Sequence, residues 1–393
     1  MAALDAEAEN LRHALVDGLR RGLAIRTAQV EAAFRRVPRH LFLPNVAPAD
    51  AYRDDAIVTR RGPDGLPSSS SSQPGIMAIM LEQLALQPGH RVLEVGAGTG
   101  YNAAVIREIV GAGGRVVTVE IQADVAREAA AHLTAAGYPD VTVVATDGGF
   151  GHPPDAPYDR IIVTASAADV PPPWRQQLVP GGVLVLPLRL RTQCLSVALV
   201  RDGDVLRSRG VECCGFMHLR GAFEGSDPIV DLGEGLFLSG PQAPDVPLDL
   251  LRALLSSPSR RVGGLIVPVN SFGLGGGLGV YLALQDPRVV DIFTTAPERW
   301  GFHTVSGLLD IPARSLCLVR PDAVVVYGSD AAADRLRSSA AEWVGVGRPG
   351  LDRLRIEVWP AGRGPGEPAR NGQGRWVLRH RWSDVTCWFE DWT

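Results

Sequence analysis

Residues 91–110 read RVLEVGAGTGYNAAVIREIV, and this stretch constrains the fold more than any other in the chain. An apolar run of strand length ends in three glycines at alternate positions, and a helical pattern begins directly behind them. Glycine lets the backbone turn sharply and lets its N–H groups approach a ligand at the start of a helix. The stretch therefore predicts a strand, a ligand-binding turn and a helix, in that order.

Strand and helix patterns alternate from residue 76 to residue 186. Alternation over this length is typical of a parallel, doubly wound α/β sheet. After about residue 220 the sequence pattern changes, and glycine- and proline-rich loops separate short strand patterns. We therefore predict an α/β domain over residues 1–220 and a second, smaller mixed α/β domain over residues 221–393.

The charge and cysteine content exclude several classes of protein. Of the 393 residues, 39 are basic and 43 acidic, and the net charge of −4 carries no signature of nucleic-acid binding. All basic residues are arginine, so no lysine-based mechanism is available. Five cysteines without a CxxC pair indicate neither a disulfide framework nor a metal site. No apolar run reaches the roughly 18 residues of a membrane span, and we expect a cytoplasmic protein.

Two acidic residues end later strand patterns. Glu120 ends VVTVE, and Asp147 ends VTVVATD. The first carboxylate is placed to accept hydrogen bonds from two ribose hydroxyls, and the second from an adenine amino group. Tyr101 stands where a dinucleotide fingerprint requires its third glycine. We therefore predict an adenosine-bearing cofactor other than a nicotinamide dinucleotide.

The run GLPSSSSSQPG, residues 65–75, supports two interpretations. Its composition is that of a flexible linker. Its position, just before a predicted helix and the glycine turn, favours a place in the active site. Both can hold, with residues 68–71 as a mobile lead that becomes ordered on substrate binding and Ser72 as the residue that contacts the acceptor.

A series of segments resembles the protein-L-isoaspartate O-methyltransferases. They are AYRDDAI (51–57), SSQPGIMAIMLEQLAL (71–86), RVLEVGAGTGYNAAVI (91–106), GRVVTVEI (114–121), AAGYPDVTVVATDGGFG (135–151), APYDRIIVTASAADVP (156–171) and QQLVPGGVLVLPL (176–188). The resemblance covers roughly residues 10–220 and implies a Rossmann-like, S-adenosylmethionine-dependent methyltransferase domain. The chain departs from the family pattern in its longer, more polar serine lead and in about 170 additional residues.

The resemblance also implies roles for individual residues. Ser72 belongs to the family's Ser-x-Pro motif and is expected to lie at the methyl acceptor as the catalytic residue, with Ser71, Gln73 and Pro74 beside the substrate. The residues expected to bind the cofactor are Glu94, Gly96, Gly98, Gly100, Glu120, Ile121, Asp147 and Gly148. No metal is expected. A carboxylate acceptor is already ionised at pH 7, so no general base is expected either.

Three functions remain open. A domain of this kind with such an extension resembles the methyltransferases associated with ribosomally made, modified peptides such as lanthipeptides, graspetides and lasso peptides. Together with the altered serine lead, this resemblance favours a methyltransferase that acts on an Asp of a ribosomally made precursor peptide. Its methyl ester would lead to a succinimide (aspartimide) or to isoaspartate. The second function is repair of isoaspartate-containing polypeptides, and the third is a non-catalytic adaptor that binds the cofactor. The oligomeric state stays open.

Two features of the extension are ambiguous. Trp376, Trp382, Trp388 and Trp392 lie close together near the end of the chain. They predict either the packing of a terminal β segment or an aromatic surface that grips a peptide. The segment GLGGGLG, residues 273–279, lacks the Lys and Ser/Thr of a phosphate loop and is predicted to be a flexible loop.

Overall fold

The computed structural model describes residues 2–390 except residues 64, 226–228, 264–268, 271–272, 321 and 367–373. Three helices come first, followed by a hairpin: α1 (Ala2–Arg21), α2 (Ala28–Arg36), α3 (Pro48–Ala51), β1 (Ile57–Arg61) and β2 (Pro67–Ser71). Val16, Val30 and Phe34 on the first two helices are buried in one apolar cluster with the helices that follow. The N-terminal helices therefore belong to the α/β domain.

Strands and helices then alternate, as the sequence predicts: α4 (Pro74–Leu84), β3 (Arg91–Val95), α5 (Tyr101–Val110), β4 (Arg115–Glu120), α6 (Ala123–Ala135), β5 (Thr142–Ala145), β6 (Tyr158–Val163), α7 (Pro172–Gln177) and β7 (Leu178–Leu190). β3 pairs in parallel with β4 on one side and β6 on the other, and β5 and β7 continue the sheet outwards. Val92, Leu93 and Val95 of β3 are all buried, as in a sheet covered on both faces. This doubly wound arrangement confirms the predicted fold class.

Two further strands, β8 (Gln193–Asp202) and β9 (Val205–Cys213), extend this sheet beyond β7. Both pairings are antiparallel. The sheet therefore changes from parallel to antiparallel at β7, at the side on which the rest of the chain is added.

The next region of the chain contains β10 (Ile229–Gly233), β11 (Leu236–Ser239), α8 (Leu248–Ser256), β12 (Ser259–Val262), β13 (Val269–Asn270), β14 (Gly273–Leu274), α9 (Gly276–Gln285), β15 (Val289–Thr294), α10 (Pro297–Trp300), β16 (Thr304–Asp310), β17 (Ser315–Val319), β18 (Val324–Gly328) and α11 (Ala331–Gly345). Seven of these strands form a second sheet in the order β10-β11-β15-β16-β17-β18-β12. Every pairing between neighbours in it is antiparallel.

The glycine-rich segment 273–279 is not a flexible loop, because its second half opens helix α9. A Cβ added to Gly277 would lie 1.8 Å from the carbonyl oxygen of Pro349, and one added to Gly279 would lie 2.4 Å from that of Leu274. Leu278 and Leu282 on this helix are buried in the same apolar cluster as residues of β7 and β8. Glycine is needed here for close packing, and the helix joins the two sheets into one core.

The last three strands, β19 (Leu354–Pro360), β20 (Arg375–Arg379) and β21 (Ser383–Phe389), return to the first sheet. β19 pairs with β9, and the full order is β20-β21-β19-β9-β8-β7-β6-β3-β4-β5. The prediction that residues 221–393 form one separate domain is therefore wrong for residues 354–389. The open edge of β9 offers backbone donors and acceptors, and a strand distant in sequence satisfies them.

The C-terminal tryptophans mainly pack against the core. Trp376 donates from Nε1 to Gln285 Oε1 at 3.0 Å, and Trp382 lies with its ring 5.4 Å from the ring of Phe223. Both are partly buried against the main apolar cluster. Trp388 lies under the guanidinium of Arg375, and Trp392 is outside the described residues. These contacts favour the packing interpretation.

The serine run is a strand rather than a linker. Residues 67–71 form β2, which pairs antiparallel with β1 so that Ile57 lies opposite Ser71 and Val58 opposite Ser70. Ser69 and Ser71 are buried. The linker interpretation, which rested on composition, is therefore wrong, because pairing with a partner strand outweighs the weak local preference of serine.

Candidate functional site

The turn between β3 and α5 has glycine at the three positions where its backbone takes positive φ angles. Gly96, Gly98 and Gly100 have φ angles of 102°, 53° and 88°, a region that side chains with a Cβ seldom adopt. A Cβ on Gly96 would also lie 2.4 Å from Thr164 Oγ1. Thr164 follows β6, and its hydroxyl donates to the carbonyl oxygens of Val95 and Gly96. The turn is therefore held from the neighbouring strand.

Glu120 ends β4 beside this turn, as the sequence predicts. Its carboxylate accepts hydrogen bonds from the backbone N–H of Gly98 at 3.2 Å and of Gln122 at 3.1 Å. Glu120 is 7% exposed, whereas Ile121 next to it is 39% exposed. Both line the main cavity. An acceptor and an apolar surface thus lie side by side at the glycine turn.

Glu94 lies in β3, two residues before Gly96, and is fully buried. It accepts hydrogen bonds from Thr118 Oγ1 at 2.6 Å and from Asn102 Nδ2 at 2.7 Å. Burial raises the pKa of Glu94 to about 7. Asn102 lines the cavity and Glu94 does not. Direct contact between Glu94 and a cofactor stays a prediction, and in this structure Glu94 holds Asn102.

Asp147 and Gly148 follow β5. Asp147 accepts hydrogen bonds from Gly149 N at 2.9 Å and from Ala222 N at 2.7 Å. Gly148 lines the cavity and Asp147 does not, so contact between Asp147 and an adenine stays a prediction. The distant residue Ala222 had no signal in the sequence that linked it to this carboxylate.

The hairpin of β1 and β2, residues 57–71, which we call the serine hairpin, contacts the glycine turn. A Cβ on Gly98 would be 3.2 Å from the carbonyl oxygen of Ser70. Ser71, Ser72 and Gln73 line the cavity, and Pro74 is buried in the first turn of α4. The hairpin therefore brings three of the four predicted substrate-side residues to the same cavity as the glycine turn.

A buried arginine supports Ser72 from behind. Arg39 is fully buried and donates from Nη2 to the carbonyl oxygen of Ser72 at 3.0 Å and from Nε to that of Ala51 at 2.9 Å. Its guanidinium lies 5.1 Å from the ring centre of Tyr101, the first residue of α5. Burial lowers the pKa of Arg39. Sequence reasoning missed this residue because nothing near residue 39 marks it as a partner of the serine run.

The cavity has a volume of about 1170 Å³, larger than the roughly 300–1,000 Å³ of most small-molecule sites. The first sheet contributes Thr164, Arg189 and the residues already described. The second sheet contributes Ser239, Asp291, Phe293 and Thr304. Ser239 lies opposite Asp291, and Phe293 opposite Thr304, across neighbouring strands. The space suits a cofactor together with part of a polypeptide.

Asp291 is the most unusual of the lining residues that sequence reasoning missed. It accepts a hydrogen bond from Ser306 Oγ at 2.5 Å, and burial raises its pKa to about 7. Arg189 Nη1 approaches His218 Nε2 on the same lining. These residues lie outside the glycine turn and its acidic partners, so only the fold brings them to the site.

The fold and the cavity together define an α/β methyltransferase that uses S-adenosylmethionine. The family model described as protein-L-isoaspartate(D-aspartate) O-methyltransferase matches residues 9–222, and the chain belongs to this family of carboxyl O-methyltransferases. The resemblance to the protein-L-isoaspartate O-methyltransferases is thereby confirmed.

Two curated relatives show the extent of the similarity. The protein-L-isoaspartate O-methyltransferase of Methanopyrus kandleri is 42% identical over 216 residues, which cover 54% of this chain and 93% of the relative. Protein-L-isoaspartate O-methyltransferase 2 of Archaeoglobus fulgidus is 40% identical over 212 residues, with 54% and 94% covered. The match covers nearly the whole length of each relative, but it leaves close to half of this chain unmatched.

A solved structure of a protein-L-isoaspartate O-methyltransferase extends further. It matches with a TM-score of 0.52 and 25% identity, and covers 88% of this chain and 96% of that chain. Because the family model ends at residue 222, a match of this length includes a large part of the second region. An extension of this kind therefore does not by itself indicate a specialised peptide substrate.

The residues at the glycine turn fit S-adenosylmethionine. Asn102 Oδ1 is buried and has no hydrogen-bond partner within the described part of the chain, so it can accept a bond from an ammonium group. Gly96 and Gly98 leave space that a Cβ would fill. The described residues contain no cluster of metal-ligating side chains and no helix long and apolar enough to cross a membrane.

Proposed function

We propose that this chain methylates the free carboxylate of L-isoaspartyl residues in polypeptides. The observation that carries the proposal is that Ser72 and the pair formed by Gly98 and Glu120 line one cavity. A hydroxyl able to orient a carboxylate and residues able to hold an adenosine cofactor thus face the same space. The names of the relatives support the same substrate class.

Methyl transfer to a carboxylate depends on positioning more than on proton transfer. Bound S-adenosylmethionine supplies a methyl group attached to a positively charged sulfur. The acceptor carboxylate has an ordinary pKa of roughly 4 and needs no base at pH 7. Ser72 can donate a hydrogen bond to one carboxylate oxygen and leave the other oxygen free to attack.

The chain holds both partners with buried contacts. Arg39 fixes the backbone at Ser72 through its carbonyl oxygen. On the cofactor side, Glu120 is already oriented by two backbone N–H groups. Carboxylate oxygens have lone pairs for further donors, so Glu120 can accept bonds from ribose hydroxyls. Both sets of contacts are made within the chain itself, which reduces the ordering needed on binding.

The product of transfer is a methyl ester, and its methoxy group leaves more readily than the oxygen of a carboxylate. The backbone nitrogen of the following residue attacks the ester carbonyl, methanol leaves and a succinimide closes. Hydrolysis of the ring gives Asp or isoAsp. Repeated cycles convert isoaspartate into aspartate, which is the chemistry of repair.

We further propose that the second sheet recognises the polypeptide. Ser239, Asp291 and Thr304 present oxygen atoms along its wall of the cavity, and Phe293 adds an aromatic surface. Such a mixture suits a backbone with varied side chains. A precursor-peptide methyltransferase would use the same wall, and this alternative stays a prediction because the solved relative shares much of the extension.

One set of assays separates the three functions. The purified chain is given S-adenosylmethionine with an isoAsp peptide, the matching Asp peptide, or a peptide encoded beside its gene. Turnover of unrelated isoAsp peptides in clear preference to their Asp forms supports the proposal. Methylation of only the neighbouring peptide would establish the precursor enzyme instead. Cofactor binding without turnover of any peptide would establish an adaptor.

A further inference from the structure

Three of the five cysteines lie in the wall of the cavity. Cys194 is in the second position of β8, and Cys213 and Cys214 lie at the end of β9 and directly after it. The sulfur atoms of Cys194 and Cys214 are 3.6 Å apart. The other two cysteines, Cys317 and Cys387, are fully buried in other strands.

The strand register places Cys194 and Cys214 opposite each other. Leu195 pairs with Cys213, and the N–H of Cys214 donates to the carbonyl oxygen of Cys194 at 3.2 Å. Residues opposite each other in an antiparallel pair have Cα atoms about 4.5–5.5 Å apart, within the roughly 4.4–6.8 Å of disulfides. The sulfurs would need to approach by only about 1.5 Å to bond, so the backbone already has the required spacing.

The two thiols differ in the way that a reacting pair requires. The hydrogen bond from Cys214 and the positive charge of Arg189 lower the pKa of Cys194. Burial raises the pKa of Cys214. Burial also raises the pKa of Cys317 and of Cys387 to about 12. Because the thiolate is the reactive form, we expect Cys194 to react first. Cys214 is then the resolving thiol that completes the disulfide.

We propose that Cys194 and Cys214 are a modification site, at which a hydroperoxide forms a disulfide and thereby slows methyl transfer. The Cys194 thiolate attacks one peroxide oxygen and becomes a sulfenic acid, while the other oxygen leaves with a proton as an alcohol or as water. The Cys214 sulfur then attacks the Cys194 sulfur and expels water. Overall, two thiols and one hydroperoxide give one disulfide, one alcohol or water, and one further water.

The disulfide would act through the segment that begins at Cys214. We call residues 214–222 the strap. Within it, Arg220 Nη2 donates to the carbonyl oxygen of Ser68 at 3.1 Å, and Ala222 N donates to Asp147 Oδ2 at 2.7 Å. The strap thus joins the serine hairpin to the residues that follow β5. A displacement at its first residue changes the spacing between the two sides of the site.

The test treats the reduced full-length chain with one equivalent of hydrogen peroxide. We expect its intact mass to fall by two hydrogens and a digest to contain one peptide pair linked through Cys194 and Cys214. We expect kcat to fall about ten- to a hundredfold, as for a displacement of about an ångström, and to return with dithiothreitol. In C214S the same treatment should leave a sulfenic acid on Cys194 that dimedone traps.

C213S is the matched control, because it removes the adjacent thiol and should leave both the disulfide and the loss of rate intact. Absence of the 194–214 linkage in the wild-type chain, or its loss in C213S, would overturn the modification site. A disulfide that forms without change in kcat would overturn its effect on methyl transfer. The mass readout does not depend on methyl transfer, so it stands even if the proposed substrate is wrong.

Discussion

Replacing Glu94 with Gln tests how this chain binds its cofactor. Glu94 is fully buried, and its pKa is raised from an ordinary value of 4.5 to about 7 chiefly by burial. At pH 7 about half of the molecules therefore carry a proton on this carboxyl group. S-adenosylmethionine is cationic at its sulfur and its amino group, so binding should favour the ionised carboxylate and expel the proton.

The magnitude follows from that pKa. At pH 7 binding should release about half a proton per cofactor, and affinity should rise about tenfold between pH 6 and pH 8 as the carboxyl loses its proton before binding. In Glu94→Gln both effects should disappear. The variant should fold, because Asn102 can still donate to the remaining oxygen while the Thr118 hydroxyl turns to accept from the new amide nitrogen.

Isothermal titration in buffers of different ionisation enthalpy measures the released protons directly. Asp291→Asn is the matched control, since burial also raises the pKa of the Asp291 carboxyl to about 7. The control should release protons as the wild-type chain does. If Glu94→Gln keeps the wild-type proton release and pH dependence, Glu94 does not ionise on binding and the reasoning is wrong.

Three further outcomes are expected. Ser72→Ala should lower kcat about ten- to a hundredfold by removing one orienting hydrogen bond, while titration shows nearly unchanged cofactor affinity. Turnover equal to that of the wild-type chain would show that Ser72 does not orient the acceptor. Gly96→Ala should abolish cofactor binding because its Cβ meets Thr164. Gly18→Ala in α1 should bind normally, because the added Cβ would meet only Arg21 Nη2 at 4.0 Å. Asp169→Ala should lower the free energy of unfolding by about 2–4 kcal/mol in a denaturant titration. The buried Asp169 carboxylate accepts hydrogen bonds from Trp382 N at 2.7 Å and Ser383 Oγ at 2.6 Å, so an unchanged midpoint would show that other contacts hold the turn before β21.

The glycine turn and its acidic neighbour could be predicted because their signals are local. Gly96 and Gly98 need positive φ angles, and Glu120 ends the next strand of a parallel sheet, so the chain itself brings them to one edge. The α/β class follows from periodicity in the same way. These features depend on backbone geometry within a few tens of residues, which a single sequence records.

The serine run, Arg39, Asp291 and the C-terminal strands depended on contacts between distant residues. Serine has no strong preference for strands, and only pairing with residues 57–61 makes it one. Arg39 reaches Ser72, and β19 reaches β9, across gaps in sequence that no local pattern marks. The sequence by itself determined the parallel strands and the glycine turn beside Glu120, because their geometry is local. Tertiary structure alone decided the cavity's second wall and the support behind Ser72, because long-range packing and pairing select those partners.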